Sequence, residues 1–319
     1  MQYDNSAFFD PRQQSYLIRI VFVFVASGGF HVHSAGTSQQ QVWRRFAVRH
    51  ESSDTSDRGP EEGKSGSLNR LMLLLELFSR EGKSDWSVDE AAIELGLSAS
   101  HTYRYFRTLS GAGYISAFTP GRYVLGPAII ALDRKMRTGD PMIQAARSLM
   151  NEILVPAPAG CIAILCRYFQ GQVMCVHEEF TTRFQHDVSY ERGLPRPLYQ
   201  GAASKVILAH LPLRQVKAFY EEVPKEFERF HLGANWSELK QALRALREQQ
   251  AVITSGELGS SATGISAAIF DDKRVIGSIS LVVPAALASD EVKAQLAPVV
   301  AAAAQTMSNT MAALAANSL

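Results

Sequence analysis

The stretch GLSASHTYRYFRTL, from Gly96 to Leu109, decides the fold of the N-terminal half of this chain. As a helix it would place four side chains on one face, which is predicted to pack inward: Thr102, Tyr105, Phe106 and Leu109. The polar and basic side chains fall on the outward face: Ser100, His101, Tyr103, Arg104 and Arg107. A globular core does not require that outward face, so we expect it to contact something outside the domain.

Two helices are predicted before this one and a hairpin after it. SLNRLMLLLELFSREG begins with Ser67 as a candidate N-cap, and SVDEAAIELG begins with Ser87 and ends at Gly96. YISAFTPGRYVLGP then gives two short strands around a Pro-Gly turn. The order helix, helix, turn, helix, hairpin is typical of a winged helix-turn-helix, which we assign to residues 67–126.

Charge is distributed unevenly within this module. The whole chain has a formal net charge of +1 over 319 residues, so it would have to bind nucleic acid through a local patch. No Asp or Glu occurs between Leu95 and Leu132, a segment that contains Arg104, Arg107 and Arg122. A one-sided basic surface suits a phosphate backbone. The alternative is a solvated helix with incidental arginines.

The second half of the chain alternates strands and helices. A linker helix is predicted over residues 127–139, and Asp140 is the expected cap of the next helix, with Pro141 at its first position. Strand pairs in GCIAILCRYFQGQVMCVHEEF and ISAAIFDDKRVIGSISLVVP enclose two helical segments, QGAASKVILAHLP and WSELKQALRALREQQ, and an Ala-rich helix follows. The fold class is therefore α+β, with a mixed α/β domain over residues 140–319.

The first 66 residues differ in composition from the rest. The apolar run Leu17–Ala26 is too short for a membrane helix, which needs ~20 residues, and the acidic residues before it are atypical of a signal peptide. Ser34–Gly66 is rich in Ser, Gln, Gly and charge, a composition that favours disorder. We interpret residues 1–66 as a disordered extension, or as the product of a start site assigned too far upstream, with native translation beginning nearer Val42 or Val48.

Nothing in the sequence indicates catalysis or a metal site. The three cysteines, Cys161, Cys166 and Cys175, include no C-x-x-C and are expected to be buried free thiols in a reducing cytoplasm. The Gly-rich segment GELGSSATG lacks the Lys-Ser/Thr of a phosphate loop, and no G-x-S-x-G nucleophile motif occurs. We therefore predict a protein that is not an enzyme and that has no cofactor and no metal.

Residues 67–315 resemble the IclR family of bacterial transcriptional regulators. The motifs that carry the resemblance come in the family's order and spacing: SLNRLMLLLELF, ELGLSASHTYRYFRTLSGAGYI, GRYVLGP, PLYQGAASKVILAHLP and FDDKRVIGSISLVVP. The resemblance implies a winged helix-turn-helix joined by a linker helix to an effector domain similar to GAF and PAS-type sensors. It also implies a cytoplasmic regulator that binds double-stranded operator DNA as a homodimer or a dimer of dimers, with no membrane partner.

The resemblance places DNA contacts on the outward face of the third helix and in the wing. The implied DNA-binding residues are Ser100, His101, Tyr103, Arg104, Arg107 and Arg122. An arginine can pair with a guanine edge, which reads sequence, or with a phosphate, which does not, and both roles stay open here. For Tyr103 the choice lies between a thymine methyl group, a phosphate and packing against Arg107.

The resemblance also implies a small-molecule pocket between the small-residue helix and the strands that face it. The implied effector-binding residues are Val188, Arg196, Ala202, Ala203, Ser255, Gly264, Ser280 and Val282. Ala202 and Ala203 would start a helix, where backbone N–H groups can receive a carboxylate. Relatives that bind organic acids use an acidic or cysteine side chain at some of these positions, whereas this chain has Ser255 and Gly264.

Arg196 stands where an apolar residue is common in the family, which suggests an anionic effector, an aromatic carboxylate among the candidates. The alternative places Arg196 on the surface of the loop GLPRPLY. The protein is thus expected to be a ligand-responsive DNA-binding regulator. A second possibility is a DNA-binding regulator whose C-terminal domain only oligomerises. Polar groups such as Ser255 and Ser280 converging on a pocket would favour the first, and a filled interior would favour the second.

Overall fold

The computed structural model describes residues 62–80, 82–180, 191–258 and 262–316. These residues form two compact units. The first unit holds the described residues up to Gly111 together with Ser116–Leu125, and the second holds Ala112–Ile115 with the chain from Gly126 onward. Most of the predicted N-terminal extension therefore lies outside the described residues. The linker helix falls within the second unit.

The N-terminal part has the predicted order of helices and hairpin. Its elements are α1 (Glu62–Leu77), α2 (Val88–Leu95), α3 (Ala99–Gly111), β1 (Ile115–Thr119) and β2 (Arg122–Leu125). The prediction for the start of α1 was wrong, since the helix begins at Glu62 rather than at Ser67. The five residues from Glu62 to Gly66 include no proline, so the helix can extend through them toward the N-terminus.

Local signals define the turn between α2 and α3. Ser87 and Glu90 form a reciprocal capping box at the start of α2, and Gly96 ends that helix in the left-handed conformation with φ of 64°. The Ser98 hydroxyl then accepts a hydrogen bond from the His101 N–H, which caps α3. The predictions for Ser87 and Gly96 are confirmed.

Aromatic side chains hold the hairpin to the helices of the first unit. Trp86 exchanges two main-chain hydrogen bonds of 2.9 Å with Tyr123 on β2, and its indole N–H donates to the Leu77 carbonyl at 3.0 Å. The Tyr123 ring meets the Phe106 ring edge to face, with centroids 4.9 Å apart. Phe106 is 1% exposed, so α3 is packed from behind and its opposite face stays free.

The second unit begins with two consecutive helices, α4 (Pro127–Gly139) and α5 (Pro141–Leu154). Asp140 separates them, and its side chain accepts hydrogen bonds from the N–H groups of Met142 and Ile143. This confirms the predicted linker helix and the predicted cap. No residue of α4 is buried, although the helix carries several apolar side chains.

One antiparallel sheet forms the centre of the second unit. The strands are β3 (Ile162–Phe169), β4 (Gln172–Phe180), β5 (Pro195–Pro197), β6 (Val252–Ser255), β7 (Ala262–Asp271) and β8 (Arg274–Pro284), in the spatial order β5-β4-β3-β8-β7-β6. The helices after β5 are α6 (Ala202–His210), α7 (Leu213–Glu222), α8 (Pro224–Arg229), α9 (Trp236–Glu248) and α10 (Asp290–Ala316). Both predicted strand pairs and the three predicted helices are confirmed.

The sheet separates two hydrophobic cores. Residues such as Leu165 and Ile265 point to one face and pack with α5 and α10. Residues such as Ile164 and Val173 point to the other face and pack with α6. The architecture is α+β, a helix-turn-helix followed by a mixed α/β domain. Within the described residues, no helix is long and apolar enough to cross a lipid bilayer.

Candidate functional site

Helix α3 presents the two faces that the sequence predicts. Thr102, Phe106 and Leu109 are buried, at 0%, 1% and 5% exposure. Tyr105 is only half-buried, and its hydroxyl lies 3.2 Å from the Ser67 hydroxyl on α1. The inward face is therefore confirmed for three of its four members, with Tyr105 at the edge.

The outward face of α3 is open to solvent along its length. The exposed residues are Ser100, His101, Tyr103, Arg104 and Arg107. Tyr103 is 56% exposed, a high value for an aromatic side chain. Neither Arg104 nor Arg107 forms an ion pair with another residue that the structure describes, so both guanidinium groups are available for an anionic partner. We call this set the recognition face.

Arg122 differs from the arginines of the recognition face because carboxylates of its own unit bind it. Its guanidinium contacts Asp85 and also pairs with Glu90 at 2.9 Å. These contacts attach the start of β2 to the loop before α2 and to the first turn of α2. The DNA contact proposed for Arg122 stays a prediction, but the structure gives this side chain a second role as an anchor of the hairpin.

The Arg122 anchor is tied to the capping box of α2. Glu90 accepts a hydrogen bond from the Ser87 N–H and is paired with Arg122 and with Lys83, and these three contacts lower its pKa to about 2. The same carboxylates raise the pKa of Arg122. The Lys83 ammonium also lies 3.7 Å from the centre of the Trp86 ring. Cap, hairpin and aromatic core are thus one connected set of contacts.

Five of the predicted effector residues lie together between α6 and the sheet: Ala202, Ala203, Gly264, Ser280 and Val282. Gly264 pairs with Val282 across β7 and β8. A Cβ at Gly264 would lie 3.2 Å from the Ala202 Cβ, a tight contact, so the glycine favours the close approach of α6 to the sheet. Ala202 and Ala203 are 2% and 1% exposed. We call this region the α6 site.

Two serine hydroxyls mark the α6 site as polar inside. Ser266 and Ser280 are direct partners across β7 and β8, on the sheet face that packs against α6. Each is 1% exposed, and neither hydroxyl has a hydrogen-bond partner among the described residues. Neighbouring Ser278, in contrast, donates to the Ala203 carbonyl at 3.1 Å. Buried polar groups normally form hydrogen bonds, so we expect the Ser266 and Ser280 hydroxyls to bind a water or a ligand. Ser266 was not predicted from the sequence.

The effector-binding role predicted for Ser255 does not fit its place in the sheet. Ser255 pairs with Thr263 across β6 and β7, and the two hydroxyls lie 2.8 Å apart on the sheet face opposite α6. Thr254 pairs with Gly264 instead, so its side chain points toward the α6 site. Side chains alternate along a strand, and a shift of one residue moves a side chain to the other face. Val188 lies outside the described residues.

Arg196 lies on the α6 side of the sheet but far from the serine pair. It pairs with Val173 on β4, and Val173 pairs with Tyr168 on β3. Ser280 pairs with Ile164, four residues from Tyr168 along β3. With about 3.3 Å per residue and about 4.8 Å per strand, the Cα atoms of Arg196 and Ser280 are separated by roughly 20 Å. The structure therefore does not bring Arg196 into the α6 site, and an anionic effector needs another argument.

A buried ion pair that the sequence analysis missed stands at the N-terminus of α6. Lys205 and Glu257 are joined at 2.5 Å, with side chains 6% and 14% exposed. The Lys205 ammonium also donates to the Phe230 carbonyl at 2.7 Å, and the second Glu257 oxygen accepts from the Gly201 N–H at 2.9 Å. The sequence carries no signal for this pair, because its two members lie 52 positions apart.

The cysteines of the described residues are buried rather than grouped as metal ligands. All three cysteines are buried and free, as predicted. Cys166 and Cys175 are cross-strand partners, and their mutual hydrogen bond together with burial raises the pKa of the Cys166 thiol. Such a thiol is a poor nucleophile. Within the described residues no three His, Cys, Asp or Glu side chains lie close enough to hold a metal ion.

Sequence profiles of two domain families match the chain. The IclR helix-turn-helix domain matches residues 67–117, and the bacterial transcriptional regulator IclR C-terminal domain matches residues 143–309. The chain is also similar to the HTH-type transcriptional regulator KipR of Bacillus subtilis (strain 168). The two are 22% identical over 221 residues, which is 68% of this chain and 85% of KipR.

Solved structures share the fold. An IclR family transcriptional regulator from Brucella abortus aligns with a TM-score of 0.63 at 18% identity, over 79% of this chain and 96% of that one. An IclR homologue from Microbacterium hydrocarbonoxydans, solved in complex with 4-hydroxybenzoate, aligns with a TM-score of 0.57 at 18% identity, over 77% of this chain and 99% of that one. At these identities the likeness concerns the fold.

Proposed function

Because the chain belongs to the IclR family of bacterial transcriptional regulators, we propose that it binds operator DNA through the recognition face and that a small carboxylate at the α6 site changes that binding. The observation that carries the proposal is the recognition face itself. It presents two unpaired arginines, a histidine, a serine and a tyrosine to solvent from a helix that is packed on its other side. This is the arrangement by which a helix-turn-helix reads the major groove.

The proposed DNA-binding residues differ in the kind of contact that each side chain can make. Arg104 and Arg107 can each donate two hydrogen bonds to a guanine edge, which discriminates bases by about 1–3 kcal/mol per good pair, or they can neutralise phosphates. Ser100 and His101 lie in the first turn of α3, the end of a recognition helix that normally meets base edges. We assign Arg122 a supporting role, since two carboxylates already hold it.

An operator with two-fold symmetry follows if the protein binds as a dimer or as a dimer of dimers. Helix α4 supports such an assembly, because Ile130, Leu132 and Met136 are 70%, 53% and 42% exposed and no residue of the helix is buried. Exposed apolar side chains clustered on one helix mark an interaction surface. We propose that this helix pairs with its copy in a second subunit and that the assembly acts on DNA in the cytoplasm.

The α6 site supports a carboxylate as the effector. Helix geometry leaves the N–H groups of the first turn of α6 without intrahelical partners, and a helix N-terminus favours a negative charge. The Ser266 and Ser280 hydroxyls offer hydrogen bonds to a second polar group of the same ligand. The complex of the Microbacterium relative with 4-hydroxybenzoate, an aromatic acid with a hydroxyl group, is consistent with this class of effector.

We propose that the signal from the α6 site reaches the linker helix through β4, whose Val173 belongs to the same hydrophobic cluster as α6. Arg192 contacts Asp133 of α4 at 2.5 Å, and its Nε donates to the Val176 carbonyl of β4 at 2.8 Å. Asp133 also pairs with Arg137 at 3.0 Å. A ligand that shifts β4 would therefore move α4 and change how two recognition faces are presented. A coupling of about 1–3 kcal/mol is enough to change operator affinity 5- to 150-fold.

A domain that only oligomerises is the competing function for the second unit. The close approach of Ala202 to Gly264 favours it, because that contact leaves little room at the start of α6. The two unsatisfied hydroxyls favour a ligand site, because a purely structural interior gains nothing from them.

A fluorescence anisotropy titration at fixed salt tests the proposal. The probe is the DNA upstream of the protein's own gene and of its divergent neighbour, with a scrambled duplex of the same length as control. The titration is repeated with a panel of aromatic and aliphatic acids. We expect selective, saturable binding that at least one acid changes. Selective binding that no acid changes would favour the oligomerising domain. Equal binding to the scrambled duplex would contradict the role of the recognition face.

A further inference from the structure

Glu257 places a carboxylate of the chain itself at the N-terminus of α6. One oxygen accepts from the Gly201 N–H at 2.9 Å, and the other pairs with the Lys205 ammonium at 2.5 Å. The Gln200 side chain donates to the Glu257 main-chain carbonyl at 2.6 Å, which fixes the residue further. The positive charge of Lys205 is therefore neutralised before any ligand binds.

Among the described residues, the groups left for a ligand in the α6 site carry no full charge. They are the N–H groups of Ala202 and Ala203 and the unsatisfied hydroxyls of Ser266 and Ser280, each serine being 1% exposed. The helix N-terminus contributes only about half a unit of positive charge. This set can bind one carboxylate at the helix and one neutral polar group at the serines. Within the part of the chain that the structure describes, the site offers no counter-charge to a second carboxylate.

A second negative charge in the α6 site would be opposed by burial. Burial removes its hydration without supplying a partner, which is costly for any ionised group. Lys205 cannot serve as that partner, because Glu257 already occupies its ammonium group. A ligand with one carboxylate avoids this penalty if its far end is a hydroxyl or a keto group.

We propose that Glu257 restricts the effector to a single negative charge, so that the α6 site selects monocarboxylates with a neutral polar group and rejects dicarboxylates. This inference rests on the proposed effector site. It goes further by assigning the charge selection to Glu257, which acts by occupying Lys205 and the Gly201 N–H before the ligand arrives.

The test uses pairs of acids that differ by one charge and little in shape. Monomethyl terephthalate is compared with terephthalate, and monomethyl succinate with succinate, by isothermal titration calorimetry on the full chain. We expect the wild-type chain to bind the monoanion of at least one pair at least about tenfold more tightly than the dianion, a ratio that corresponds to about 1.4 kcal/mol.

Glu257→Gln releases the Lys205 charge and should shift the ratio at least about tenfold toward the dianion. Glu257→Asp keeps the charge and should keep the preference, which makes it the matched control. The wild-type ratio needs no variant, so it decides the proposal even if Glu257→Gln fails to fold. Equal affinity for the two members of each pair, or an unchanged ratio in a folded Glu257→Gln chain, overturns the charge selection alone. Failure of all four acids to bind overturns the effector site as well, and leaves DNA binding standing.

Discussion

The recognition face and the α6 site use polar groups in opposite ways. On α3 the proposed DNA-binding side chains are exposed, and their helix is held from behind by Phe106 and Leu109. At the α6 site the proposed ligand-binding groups lie inside, where Ser266 and Ser280 are almost fully buried and the Glu257 carboxylate already stands at the helix N-terminus. An exposed site can rely on charge and solvent, whereas a buried site must be satisfied group by group. Mutations in the exposed site should therefore change binding affinity alone, whereas mutations in the buried site should also change the free energy of unfolding.

Removing both arginines of the recognition face should have the greatest consequence. We expect Arg104→Ala with Arg107→Ala to weaken operator binding about 100-fold or more, since each arginine contributes a base pairing or a phosphate contact. The free energy of unfolding should stay within about 0.5 kcal/mol, because both side chains are exposed. Anisotropy titrations at several salt concentrations provide the measurement. Arg244→Ala on α9, whose side chain is 80% exposed, is the control for lost charge, and an equal loss there would refute the assignment.

Mutation of the paired serines should change both effector affinity and the free energy of unfolding. We expect Ser266→Ala with Ser280→Ala to weaken effector binding about tenfold while leaving the chain as stable or more stable by about 1 kcal/mol, because two unsatisfied buried hydroxyls are removed. Ser278→Ala is the matched control. It should destabilise the chain by about 1 kcal/mol, because it removes the hydrogen bond from the Ser278 hydroxyl to the Ala203 carbonyl. Urea unfolding and calorimetry give the two quantities. A destabilised double variant with normal effector binding would show that these hydroxyls are structural.

A variant of Arg122 can distinguish whether this side chain anchors the hairpin or contacts DNA. We expect Arg122→Ala to weaken operator binding about three- to tenfold, because it removes the exposed ion pairs that hold the hairpin, and exposed ion pairs contribute little. The slope of log affinity against log salt should not change, because no phosphate contact is lost. A slope that falls by about one would instead establish the direct phosphate contact that the sequence predicts.

The pH dependence of the first unit should be the smallest of these effects. The contacts of Glu90 lower its pKa from 4.5 to about 2. A lowered carboxyl pKa contributes stability that is fully present above the unfolded value and is lost as the pH falls toward the folded one. Thermal unfolding followed from pH 6 to pH 2 should therefore show a loss below about pH 4.5 that is reduced in Glu90→Gln. Because the group is partly exposed, the contribution should be small. An identical pH profile in the variant would argue against it.

The sequence predicts the first unit better than the second for a physical reason. The cap Ser87, the turn glycine Gly96 and the spacing of Thr102, Phe106 and Leu109 are all local, and local rules decide them. Even the exception is local, since the start of α1 was misplaced by only five residues and no proline lies between Glu62 and Ser67. The exposed face then follows by elimination.

The α6 site depends on contacts between distant segments. Ser255 was grouped with the α6 site by family position, and its face could not be predicted because the register of β6 on β7 is not encoded in the four residues of β6. Arg196 was grouped with Ser280 by family position, whereas strand order sets them apart. The pair of Lys205 and Glu257 arises only when the β6–β7 segment folds against α6. No sequence pattern within either segment predicts such a pair.

The coupling of the two sites is tested most directly by measuring it in both directions. Operator affinity is determined with and without a saturating monocarboxylate, and acid affinity is determined by calorimetry with and without bound operator. We predict the same factor in both experiments, between about 5 and about 150, because a coupling free energy between two binding sites is reciprocal. Acid binding with the same affinity to the free and the operator-bound protein would contradict a ligand-responsive regulator.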